Sequence, residues 1–161
     1  MKRMFVVLST TVALVVPTLV HAQADFSGKW TYDQAKSGRG TAGNNPSVSF
    51  PTDLVIKHTP TEFDLETSTT RQDVIKAVYK LDGSEMTVPG GASGITLKGK
   101  ARLEGDKLVI ESTRSFSSPA GPIVNEFKEI YSASGNTLTV EKTQNIGGQQ
   151  NVGTAVYNKT S

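Results

Sequence analysis

From residue 54 onward the chain alternates between apolar and polar positions with a period of two, in short runs broken by small polar turns. Three of those turns share one form: Leu81-Asp82-Gly83-Ser84, Glu104-Gly105-Asp106-Lys107 and Ser134-Gly135-Asn136-Thr137. In each, a central glycine supplies the positive φ that a tight hairpin needs, between stretches of β-branched and aromatic residues suited to a pleated surface. The pattern predicts strands over 54–59, 62–70, 73–81, 85–88, 95–103, 107–116, 123–131, 137–144 and 152–159, after a first strand whose face carries Phe26, Gly28, Trp30 and Tyr32. Apolar residues nowhere hold a helical period for three turns, so helix is expected to be minor.

Ten strands in an antiparallel meander place their connections alternately at two ends. The tight turns near Pro60, Gly83, Gly105 and Gly135 fall at one end. The segments 34–51, 89–94, 117–122 and 145–151, read as long loops, fall at the other. An even count lets the first and last strands run antiparallel and join. The expectation is an all-β fold: a single antiparallel meander closed into a barrel of 8–10 strands, with one plain end and one elaborated end.

The first residues read differently. Lys2 and Arg3 precede an apolar run over 4–20 that is broken by Pro17 and followed by small residues at Ala22 and Ala24. This is the pattern of a secretory signal peptide, cleaved after Ala22 or Ala24, rather than of a membrane span. Residues 1–24 are therefore assigned to a leader and 25–161 to one barrel domain, exported to the periplasm or the medium. With the leader go two of the 17 basic residues and none of the 15 acidic ones, leaving 15 against 15. A balanced charge with no basic block excludes nucleic acid as an expected partner. The chain has no cysteine, so its stability must come from a hydrophobic core.

The ends of the domain carry a resemblance. Phe26-Ser27-Gly28-Lys29-Trp30 resembles the Gly-x-Trp first strand of the calycins, the lipocalins and fatty-acid-binding proteins above all. Tyr157-Asn158-Lys159 is similar to the Tyr-x-Lys closing strand of fatty-acid-binding proteins. The opening also resembles exported bacterial lipocalin-like proteins that begin Phe-x-Gly-x-Trp. In lipocalins a basic residue of the last strand lies across the buried tryptophan. The matching positions are Lys159 and Trp30, with Gly28 structural beside them, although lysine stands where lipocalins usually have arginine.

Candidate chemistry follows from the strand faces. Leu108, Ile110, Ser112, Arg114 and Phe116 share one face, as do Leu138, Val140, Lys142 and Gln144. Asn125, Phe127, Glu129 and Tyr131 share a third, and Phe63, Leu65, Thr67 and Thr69 a fourth. Apolar groups collect near the tight turns while Arg114, Gln144, Asn125 and Thr69 collect near the mouth, a cavity lining suited to an amphipathic ligand. Arg114 is the candidate anchor for a carboxylate or phosphate, or else pairs with Glu129. Tyr32 and Glu129 complete the candidate ligand-binding set. Gly99, Ala101, Ser112 and Thr154 are small residues expected on the inner face, leaving volume inside.

No cofactor or metal is expected, since His58 is the sole histidine after the leader and cysteine is absent. No catalytic residue is assigned: the carboxylates other than Glu129 alternate outward and no histidine-based triad is present. Three function classes follow. The favoured one is an exported barrel that binds a small apolar or amphipathic molecule, including an anionic one. The second is a packed-interior periplasmic structural or interaction protein. The third is an enzyme acting on a lipid-like substrate through groups such as Glu129 and Tyr131.

Overall fold

The computed structural model describes residues 24–37, 48–68, 74–89, 96–119 and 121–160, with 116–118 described by their backbone alone. The leader, bar Ala24, lies outside the described residues, as does Thr69. The described residues hold ten strands and no helix: β1 (Gly28–Tyr32), β2 (Asp53–His58), β3 (Glu62–Ser68), β4 (Val74–Lys80), β5 (Met86–Pro89), β6 (Thr96–Glu104), β7 (Lys107–Ser118), β8 (Gly121–Ser134), β9 (Thr137–Ile146) and β10 (Gln149–Lys159). Every pairing is antiparallel, and the spatial order is β4-β3-β2-β1-β10-β9-β8-β7-β6-β5.

The first and last strands do join, with Trp30 opposite Lys159 and Tyr32 opposite Tyr157. The interruption in the barrel lies between β4 and β5 instead. It is narrowed at the tight-turn end, where Asp82 bridges Arg102 and the Gly83 amide donates to the Ala101 carbonyl at 3.1 Å. Higher up, Tyr79 of β4 packs against Gly99 of β6, where any side chain would crowd its ring. A Cβ there would stand 3.1 Å from Tyr79 Cε1 and 3.3 Å from Val88 Cγ2. The two free edges carry features that discourage pairing with other chains: β5 has four residues and ends in Pro89, and β4 presents Lys76 and Lys80 to solvent.

Two expected long loops are tight turns. The strands of the β7–β8 hairpin run on until Ser118 pairs with Gly121. Those of the β9–β10 hairpin run on until Ile146 pairs with Gln149. Gly147 and Gly148, at φ 58° and 81°, form the two-residue turn that only residues tolerant of positive φ can make. Two of the four segments expected as loops at the mouth are thus hairpins, while most of the other two, 38–47 and 90–94, lies outside the described residues.

The core fills the tight-turn end. Phe26, Trp30, Ile56, Phe63, Leu108, Tyr131 and Leu138 are all buried there. Alternation along the strands turns these residues inward, although Val109, between Leu108 and Ile110, is buried as well.

Candidate ligand-binding site

The floor of the barrel is aromatic. Phe26 meets His58 edge-on at 5.4 Å and Phe63 at 6.2 Å, and Phe63 continues to Tyr131 at 5.6 Å. Trp30 is 1 % exposed and its indole Nε1 donates to the Phe26 carbonyl at 2.9 Å, which satisfies the one polar atom its burial would otherwise strand. Lys159 Nζ lies 5.3 Å from the centroid of the Trp30 ring, a cation over the indole face. Gly28 sits beside this pair, opposite Ile56. His58 belongs to the floor: burial lowers its pKa, against a smaller upward pull from Asp25. No cluster of three metal-ligating side chains occurs among the described residues.

Above the floor, β7, β8 and β9 form a wall on which polar groups join the apolar ones above the lowest step, in an order set by register. The lowest step is Leu108–Tyr131–Val140, followed by Ile110–Glu129–Lys142, then Ser112–Phe127–Gln144, and finally Arg114 opposite Asn125. Each step is one inward-facing residue per strand, two residues above the last.

The second step contains an ion pair. Lys142 Nζ is 2.9 Å from Glu129 Oε1, and the Tyr131 hydroxyl donates to Glu129 Oε2 at 2.8 Å. The pair was not foreseen in the sequence, where Arg114 was the alternative partner for Glu129. Register excludes that partner, because Arg114 is opposite Asn125, four residues up β8 from Glu129. Burial pushes the Glu129 carboxyl up, but the Lys142 ammonium and the Tyr131 hydroxyl outweigh it and hold its pKa below the usual value. Burial and the Glu129 charge push the Tyr131 hydroxyl well up, so it is a firm hydrogen-bond donor.

The upper steps are polar and enclosed. Asn125 is 2 % exposed, Gln144 is also buried, and Asn125 Oδ1 has no hydrogen-bond partner within the chain. Arg114 is half-buried beside Asn125. On the opposite side Tyr32 packs edge-on against Tyr157 at 5.7 Å, and the Tyr157 hydroxyl donates to the Pro51 carbonyl at 3.1 Å.

Space inside is distributed otherwise than the small residues implied. Gly99 makes room for Tyr79, and Gly153 for Val48 and Phe50, which would lie 3.0 Å and 3.2 Å from a Cβ there. Thr154 faces outward, between the buried Gly153 and Ala155. The side chains of Glu129 and Lys142, by contrast, face inward and still keep 23 % and 17 % of their surface accessible. Ser112 and Phe127, on the step above, are also only partly covered. The barrel is therefore packed at its floor and along the β4–β6 seam, while the inward side chains of the β7–β9 wall are less fully covered.

A depression of about 450 Å³ is lined mostly by outward residues of β6–β9, together with the inward Gly99, Ser112 and Phe127. Four of its charges form two pairs, Lys100 with Glu111 at 3.0 Å and Lys98 with Glu85 at 3.6 Å. It reads as a solvated outer wall.

No family model matches the chain, and no curated protein sequence matches it. Solved structures do. The zebrafish ileal bile-acid-binding protein complexed with cholic acid superposes with a TM-score of 0.58 at 19 % identity, over 84 % of this chain and 98 % of that one. Secretory abundant heat soluble protein 4 from Ramazzottius varieornatus superposes with a TM-score of 0.51 at 20 % identity, over 84 % and 94 %. The fold is a calycin-like barrel.

Proposed function

We propose that this chain is an exported calycin-like barrel that binds a small amphipathic molecule in the space against the β7–β9 wall. The apolar part of the ligand rests on the floor of Phe63, Leu108, Tyr131 and Leu138. Its polar end points up the wall toward Arg114, Asn125 and Gln144, with Tyr32 and Glu129 bordering the space. Arg114 is the group that would hold an anionic head, as a planar donor of two parallel hydrogen bonds. The observation that carries this reading is the stepwise polarity of one interior wall, from Leu108–Tyr131–Val140 to Arg114–Asn125. A barrel built only to be packed gains nothing from placing charged and amide groups inside, where each costs desolvation. The bile-acid-binding structure, a barrel of the same fold complexed with cholic acid, supports the same reading.

Titration of the mature protein with octadecanoate, read by displacement of an environment-sensitive naphthalene sulfonate dye, tests it. Saturable binding at one site that weakens on Arg114→Ala supports the reading, and absence of both dye uptake and displacement overturns it. Export is supported by the leader pattern of residues 1–24. N-terminal sequencing of the protein recovered outside the cytoplasm should begin at Gln23 or Asp25, and an intact Met1 there would contradict processing.

A further inference from the structure

The polar step halfway down the wall says more about the ligand than the mouth does. Glu129 and Lys142 neutralise one another at 2.9 Å, and both side chains, turned inward by register, retain some accessible surface. An anionic ligand group placed beside them would gain from the ammonium and lose to the carboxylate at almost the same range. A cationic group would meet the reverse. A hydroxyl gains from both, donating to a Glu129 oxygen and accepting from one of the two N–H groups that Lys142 has left over after its bond to Glu129.

Resting on the ligand-binding reading above, we infer that the Glu129–Lys142 pair is an internal hydroxyl-binding station, and that the ligand is a hydroxylated amphiphile with its hydroxyl well separated from its head group. The separation follows from the strand: Glu129 is four residues from Asn125, which at the rise of a β-strand is about 13 Å. The ligand therefore carries a polar group at the mouth, a hydroxyl deep inside, and an apolar body that continues to the aromatic floor. A charged pair inside a barrel is a costly way to add stability, since apolar residues of similar size often serve as well or better. Recognition of a group that needs both a donor and an acceptor accounts for it.

The test compares three probes by isothermal titration calorimetry: octadecanoate, 12-hydroxyoctadecanoate and 2-hydroxyoctadecanoate. The 12-hydroxy acid should bind about tenfold or more tightly than either of the others, the gain expected for hydrogen bonds to charged groups. Equal affinities for all three overturn the station and leave the ligand-binding reading standing. Absence of binding by all three overturns both. In Glu129→Leu/Lys142→Met the affinities for the three acids should converge. In Glu129→Gln, which leaves the ammonium without its counter-charge, the preference should pass from the 12-hydroxy acid to a long-chain dicarboxylate. Retention of the wild-type preference in either folded variant, as checked by circular dichroism, overturns the proposal.

Discussion

Glu129 and Lys142 form an ion pair at 2.9 Å on the inside of a calycin-like barrel, with Tyr131 donating to the same carboxylate at 2.8 Å. The cross-strand register that brings them together is dictated by the hairpin at Gly135-Asn136, which sets every inward residue of β8 against its partner on β9. Removing one member leaves the other charge inside without its counter-ion. Lys142→Met should therefore destabilise the protein by about 2–4 kcal/mol in urea unfolding, and Glu129→Leu/Lys142→Met should recover most of that loss. A single variant as stable as wild type would show that the pair is solvated rather than enclosed.

Two separate acid transitions are expected from the same kind of linkage. Burial holds the His58 pKa below its ordinary 6.5, so its contribution is present above that pH and is lost as the unfolded chain takes up a proton below it. The Glu129 pKa lies below its ordinary 4.5, despite burial, because Lys142 and Tyr131 stabilise the carboxylate. Its contribution is kept above about pH 4.5 and lost as pH falls through the lower, folded-state value. His58→Phe should flatten the stability curve between pH 7 and 5 and leave the lower transition in place. An unchanged slope there would place His58 outside the linkage.

At the alkaline side the sign reverses. Burial, and after it the Glu129 charge, raises the pKa values of Tyr79, Tyr131 and Tyr157 above the ordinary 10.0. These groups stabilise the fold below pH 10, and that contribution is lost as the unfolded state releases its phenolic protons above it. Melting temperature should fall steeply above pH 10, and less so in Tyr79→Phe.

Trp30 and Lys159 join the two ends of the chain. Trp30→Ala removes the largest buried side chain of the floor and its hydrogen bond to Phe26, and should cost about 3–5 kcal/mol. Lys159→Ala should cost about 0.5–1 kcal/mol, the scale of a cation over an indole at a site open to solvent. A double-mutant cycle in which the two losses add would show that the ring and the cation do not interact.

Gly99→Ala probes the seam. The added methyl meets Tyr79 Cε1 at 3.1 Å and Val88 Cγ2 at 3.3 Å, so it should destabilise by about 1–3 kcal/mol. Combining it with Tyr79→Leu should restore part of the loss. If Gly99→Ala alone is neutral, Tyr79 does not hold β4 against β6.

The strand faces were legible because side chains alternate strictly. Once Leu108 and Leu138 are placed inward, Ser112, Arg114, Lys142 and Gln144 follow without a fold in hand. The Glu129–Lys142 pair was legible too, had the Gly135 turn been used to set register rather than only to mark a turn. Other features were not. The segments 145–151 and 117–122 read as loops from their polar, glycine- and proline-containing composition, yet a two-residue turn needs little else, and the strands beside it pair through their backbones whatever their side chains. The position of the seam depends on which strands fail to pair, and the meander pattern is the same on both sides of it. Gly99 looked like empty volume because the residue that fills it, Tyr79, comes from a distant segment.

The central claim is that the space against the β7–β9 wall holds a small amphipathic molecule. Native mass spectrometry of the mature protein, purified from the producing cells' periplasm or medium without detergent, tests it most directly. A small bound mass is expected that is released on denaturation and is lost, or exchanged for a different one, in Arg114→Ala. A protein that is recovered at its bare mass and that takes up neither the naphthalene sulfonate dye nor 12-hydroxyoctadecanoate would contradict it.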